Sequence, residues 1–135
     1  MKHVTNPADE PWISYNPMGV KGFKFIFEAL SKEYTDAYSI DLVEVEVGGS
    51  SPFHIDPDNH AFYVIEGQAE LIIAEERVMV PKGAIARIPM GVVHSLANAG
   101  DVPLVMLTLY DPPRDRTMQK AAAAAQADVS AVPHG

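Results

Sequence analysis

From Phe23 to Tyr110 the apolar residues arrive in short runs, most of them bounded by Gly, Pro or Asn, with almost nothing repeating at helical period between them. "GFKFIFE" places Phe23, Phe25 and Phe27 on one face, and "SIDLVEVEV" alternates Val43, Val45 and Val47 against Leu42, Glu44 and Glu46. "AFYVIEG", "AELIIA", "ERVMV", "AIARIP", "VVHSLAN" and "VPLVMLTLY" follow. Such runs are too short for stable helices and carry the twofold period of strands. Many short strands with turn residues between them predict an all-β sandwich or barrel. At 135 residues the chain is about one domain, with enough apolar residues (47%) for a real core.

The ends differ from this middle. Residues 1–20 hold three prolines, Pro7, Pro11 and Pro17, and read as an N-terminal arm. Residues 21–112 form the barrel, and 113–135 an Ala-rich tail that forms a short helix or stays disordered. His3 and His134 lie in these ends and are given no role.

Composition narrows the function. The net charge of −8 argues against partners that need a basic surface, namely nucleic acid or anionic membranes. The absence of cysteine removes disulfides, thiolate metal sites and cysteine nucleophiles. The polar "MKHVTNPADEPW" shows no signal peptide and no run approaches a membrane span, so a cytoplasmic location is the default expectation.

The chemistry concentrates in "HIDPDNH", His54 to His60. With His54 and Asp56 two apart on a strand, both side chains would point one way. A turn at Pro57-Asp58-Asn59 would then bring His60 back on the next strand. His94, in a strand after "PMG", could add a fourth donor.

These residues carry a resemblance to the cupin superfamily, whose two motifs lie on neighbouring strands of a small jelly-roll barrel. Gly48, His54, Asp56, His60 and Gly67 stand at the spacing of the first motif. Gly83, Pro89, Gly91, His94 and Asn98 match the second, fifteen residues further on, and the resemblance covers roughly residues 38–110. Two departures stand out: Asp56 replaces the usual second histidine and His60 the usual glutamate. The chain resembles the four-histidine, single-domain type with one histidine changed to aspartate. Either His54, His60 and His94 bind a metal while Asp56 orients or acts as base, or all four bind.

The resemblance implies a divalent cofactor, Fe(II) or Mn(II) first, with Ni(II) or Zn(II) compatible with the same donors. It also implies a small-molecule substrate. The leading expectation is a dioxygenase acting on a chelating diketone, enol or phenolic acid. The alternatives are a non-redox isomerase, lyase or cyclase, and a non-catalytic binding module.

Three residues are candidates for direct chemistry: Asp56 as base, Arg87 as a clamp for a carboxylate or enolate if it points inward, and Tyr110, which shares parity with Thr108 and Met106. Phe53, Phe62 and Val64 read as pocket wall, and Glu28, Glu44 and Glu46 as solvated strand faces. Gly48, Gly67, Gly83 and Gly91 read as turn residues with positive φ. Apolar residues on both faces of "GFKFIFE" and "VPLVMLTLY" predict a homodimer.

Overall fold

A computed structural model describes residues 2–131, with side chains described up to 125. His134 therefore lies outside the described residues. Nine strands follow in chain order: β1 (Ile13–Ser14), β2 (Lys21–Leu30), β3 (Ser39–Ser50), β4 (Asn59–Glu66), β5 (Gln68–Ile73), β6 (Glu76–Pro81), β7 (Ile85–Ile88), β8 (His94–Asn98) and β9 (Leu104–Asp111). A 3-10 turn at Pro7–Asp9 lies in the arm, and an α-helix, α1 (Thr117–Ala131), closes the described chain. The strand order is β6-β5-β8-β3-β9-β4-β7, with β2 pairing β3 and β1, and every pairing is antiparallel. This is the jelly-roll barrel that the punctuated strands led one to expect. It closes by a single Ser50–Ala97 register contact between β3 and β8, which joins one larger and one smaller sheet.

Alternation decides which side chains fill the interior. Phe25, Val43, Val45, Phe62, Val64, Leu71, Leu96, Leu104 and Met106 form the core. Each such burial contributes roughly 1.5–3 kcal/mol relative to exposure. Ile26 and Leu42 are also buried, yet they stand outside this cluster, on the outer face of the larger sheet. Direct pairing puts Ile26, Leu42, Leu107, Tyr63 and Ile85 in one row across β2, β3, β9, β4 and β7.

The arm is tied to the barrel rather than free. Ile13 pairs with Phe25, and Asn16 exchanges hydrogen bonds with the Phe23 backbone (2.7 and 3.3 Å). The four glycines expected at turns all have positive φ. Gly67 is the most constrained: at φ +81°, an added Cβ would sit 2.8 Å from the Pro103 carbonyl oxygen.

The tail is helical over Thr117–Ala131. Its first turn is pinned by Lys120, whose Nζ lies 3.2 Å from Glu28. Glu28 is thus half-buried and paired, not part of a solvated face. No helix among the described residues is long and apolar enough to cross a membrane.

Candidate metal centre

The donors come together because an irregular segment is stitched along β8. After Ser50 the chain leaves regular β structure, since Pro52 and Pro57 have no N–H to give a ladder. Ser51 N–H donates to the Leu96 carbonyl (2.8 Å), and the Leu96 N–H donates to Ser51 Oγ (3.1 Å). His54 then exchanges both backbone hydrogen bonds with His94 (2.9 and 3.0 Å), placing the two rings 4.2 Å apart between centroids. The expected strand through His54 and Asp56 is therefore a single bridge at His54, with Asp56 in a loop. Gly91 N–H donates to the Asp56 carbonyl (3.1 Å) and Met90 N–H to Asn59 Oδ1 (2.7 Å). Those two bonds hold the loop against the turn before β8. His60 enters from β4, opposite Tyr110 of β9 and Ile88 of β7.

The second hydrogen bond of each ring determines what the site can hold. His54 Nδ1 lies 2.7 Å from the Pro52 carbonyl, and His94 Nδ1 lies 2.8 Å from the Val92 carbonyl. A carbonyl only accepts, so both Nδ1 atoms carry the proton and, in the neutral rings, both Nε2 atoms present a lone pair. Those Nε2 atoms each lie 3.3 Å from the same oxygen, Asp56 Oδ2, and His60 Nδ1 lies 3.6 Å from it. Lone pairs aimed at a carboxylate oxygen repel unless a proton or a cation lies among them. His94 Nε2 and His60 Nδ1 are buried with no hydrogen-bond partner; His94 Nε2 is near enough to Asp56 but poorly aligned for a bond. Two orphaned buried nitrogens beside a carboxylate are costly as they stand.

A divalent ion held by these residues would satisfy them. Donors bound at about 2.1 Å to one ion lie roughly 3.0–3.4 Å from each other, close to the spacings seen around Asp56 Oδ2. His54, Asp56 and His94 form one group whose donor atoms all lie within 4.8 Å, and Asp56, Asp58 and His60 form a second. Asp56 belongs to both. In either of the two arrangements left open by the sequence, Asp56 Oδ2 faces all three histidine rings, at 3.3, 3.3 and 3.6 Å.

Electrostatics follow the same geometry. Burial raises the Asp56 carboxyl, but the facing imidazoles of His54 and His94 and the Arg114 charge outweigh it and hold it well below the carboxylate range. His54 is raised, chiefly by Asp56. Burial pulls His60 down to about 4, despite the Asp56 charge.

Three further residues complete the polar end, and two of them went unseen in the sequence. Arg114 grips Asp58 with Nε (2.6 Å) and Nη2 (3.0 Å), reaches Asp56 Oδ1 with Nη2 (3.2 Å), and stacks over the Tyr110 ring at 4.0 Å. Arg116 pairs with Asp41 through Nε (2.9 Å) and Nη2 (2.6 Å), and Nη2 also donates to the Tyr110 hydroxyl (3.3 Å). Both arginines sit in "PPRDRT", which reads as the start of a tail. The available signal was their two-residue spacing directly after the last strand. Tyr110 is where it was expected, and Thr108 and Met106 line the same cavity.

Arg87 requires correction. It lies on the exposed outer face of β7 between inward Ala86 and Ile88, because its register partner, Ala61, faces outward between His60 and Phe62. The inward guanidinium comes from Arg114 instead. Of the wall residues, Phe62 lines the cavity, Val64 packs in the core and Phe53 is exposed.

The donor cluster closes one end of a cavity of about 330 Å³. Phe23, Phe25, Val43, Ile88, Leu96 and Met106 form its walls, and Tyr15, Pro17, Met18 and Val20 of the arm form part of its rim.

A jelly-roll barrel with a three-histidine, one-aspartate cluster facing an apolar cavity defines a small protein able to hold a divalent metal. The cupin domain family matches residues 41–110, just over half of the chain, and the chain belongs to that family. Among curated proteins none matches it. Solved structures are similar in fold. The polyketide cyclase RemF from Streptomyces resistomycificus is 21% identical, with a TM-score of 0.73 over 82% of this chain and 80% of that one. A predicted oxalate decarboxylase from Thermotoga maritima is 21% identical, with a TM-score of 0.71 over 81% of this chain and 98% of that one. KdgF from Halomonas sp. is 17% identical, with a TM-score of 0.69 over 84% and 96%.

Proposed function

We propose that this cupin is a metal-dependent dioxygenase acting on a small, largely apolar molecule that chelates through adjacent oxygens, such as a diketone, an enol or a phenolic acid. The observation that carries this reading is the composition of the cavity wall. Among the described residues, no carboxylate or imidazole lines it apart from His54, Asp56, His60 and His94. General acid–base chemistry would have to draw on Asp56 or Tyr110, both at the polar end, and the rest of the wall is built to hold an apolar body. His54, Asp56, His60 and His94 would hold the ion, Fe(II) or Mn(II) in this reading, and it would supply Lewis acidity and electron transfer to O₂.

The chain's own residues do the rest. The apolar walls exclude water and orient the body of the substrate. At the polar end three carboxylates (Asp41, Asp56, Asp58) face two guanidiniums (Arg114, Arg116). With a divalent ion the balance is one positive charge, which a singly deprotonated enol or phenol neutralises. Arg116 donates into the Tyr110 oxygen, leaving the phenol proton to donate to a bound oxygen atom. Burial, and then the Asp41 charge, push Tyr110 up to about 12, so that proton stays in place at neutral pH.

A second reading, non-redox isomerase, lyase or cyclase chemistry, draws on that same phenol as proton donor. The experiment is metal analysis of chelator-free protein followed by oxygen-electrode assays with enols and catechols. About one equivalent of iron or manganese and substrate-dependent oxygen uptake are expected. Turnover unchanged without oxygen would replace the leading reading by the second. Tight ligand binding with no turnover under either atmosphere would leave a binding module. The functional unit in this reading is a cytoplasmic homodimer.

A further inference from the structure

Two carboxylates, Asp56 and Asp58, stand within reach of the same histidine, His60. They differ in what occupies them. Both oxygens of Asp58 are taken by Arg114, at 2.6 and 3.0 Å, and Asp58 is only 4% exposed. Asp56 gives Arg114 one oxygen, Oδ1 at 3.2 Å, and keeps Oδ2 facing the histidines. Of the four carboxylate oxygens, Asp56 Oδ2 is the one these contacts leave turned to the histidines.

We propose that Arg114 is a positioning residue that selects the metal's oxygen donor, holding Asp58 out of the site and fixing Asp56 so that Oδ2 alone is offered. The guanidinium suits this task because its planar donors bind two oxygens at once, which an ammonium does not. Its own placement is over-determined: the ring of Tyr110 lies under it at 4.0 Å, and its backbone N–H donates to Ser39 Oγ (2.9 Å). A guanidinium beside a cation would repel it, but the bidentate Asp58 pair is nearly neutral as a unit, so orientation outweighs repulsion. Histidine at position 56, with no second oxygen, would have nothing for Arg114 to hold. The departure from the family pattern at Asp56 and the arginine in the C-terminal segment are therefore one feature. The inference rests on the metal reading above.

Co(II), whose visible spectrum reports the donor set, is the probe. The unaltered chain is expected to take up one Co(II). Arg114→Ala is expected to change the spectrum as Asp58 enters the site, and adding Asp58→Asn to it to shift the spectrum back, with affinity about tenfold below wild type. Asp58→Asn alone keeps the wild-type spectrum. Arg114→Lys, which retains the charge, gives a partial change and serves if the alanine variant does not fold. An Arg114→Ala or Arg114→Lys spectrum and affinity identical to wild type would overturn the inference and leave the metal reading intact. So would a spectral change in Asp58→Asn alone. No Co(II) uptake by the unaltered chain would remove both.

Discussion

Asp56 does what an imidazole in its place could not, since its two oxygens face different partners. Its removal is the sharpest residue-scale test: Asp56→Ala is expected to lower metal affinity by at least about tenfold, read by competition with a chromogenic chelator. Arg116 tests a different role. It is 7% exposed and its partner Asp41 1%, so Arg116→Ala strands a buried carboxylate and is expected to cost about 3–5 kcal/mol in urea unfolding. His60 sets a pH dependence. Its folded-state pKa, about 4, lies below the ordinary 6.5, so the unfolded chain binds more protons between those values. Stability of the metal-free protein should therefore fall as pH drops from about 6.5 to 4. His54, raised in the fold, has the opposite effect from about 6.5 upward, where its contribution is lost as pH rises. His60→Asn should flatten the slope measured by denaturation at several pH values.

At the scale of elements, the site depends on how β8 is anchored. Asn98, at the end of β8, donates to the Val45 carbonyl (3.0 Å) and the Val102 carbonyl (2.9 Å), and accepts from Gly100 N–H (2.9 Å). It thus ties β8 to β3 and to the turn before β9. Asn98→Ala removes three largely buried hydrogen bonds and is expected to cost roughly 2–4 kcal/mol in chemical denaturation. Metal affinity should change little, because the His94 end of β8 is held separately by His54. The matching asparagine in the sequence motif is thereby explained as a structural residue, as are the positive-φ glycines. The short strands were legible because their alternation is a local property. The segment Ser51–Asp58 was not: its two prolines forbid a ladder, and its shape comes from hydrogen bonds to residues some forty positions away.

For the whole molecule, the outer row Ile26, Leu42, Leu107, Tyr63 and Ile85 bears on assembly. Its β2–β3 end is already buried, whereas Tyr63 (42%) and Ile85 (57%) remain open. We propose that the expected homodimer would form by burying that end against a second copy. Light scattering should return twice the chain mass at micromolar concentration, and Tyr63→Glu with Ile85→Lys should return one. A monomer before substitution would remove the dimer from the reading.

The sequence by itself determined the barrel, the family and the three histidines, because alternation, turn residues and motif spacing are written along neighbouring positions. It also singled out Asp56 as the departure. Only the tertiary structure decided that Asp56 turns one oxygen to all three histidines, that Arg87 faces outward and that Arg114 and Arg116 face inward. The physical reason is sequence distance: an ion pair between residues 56 or 58 and residue 114 leaves no periodic trace in either segment. Its partners meet only when β4, β9 and the chain beyond them are paired.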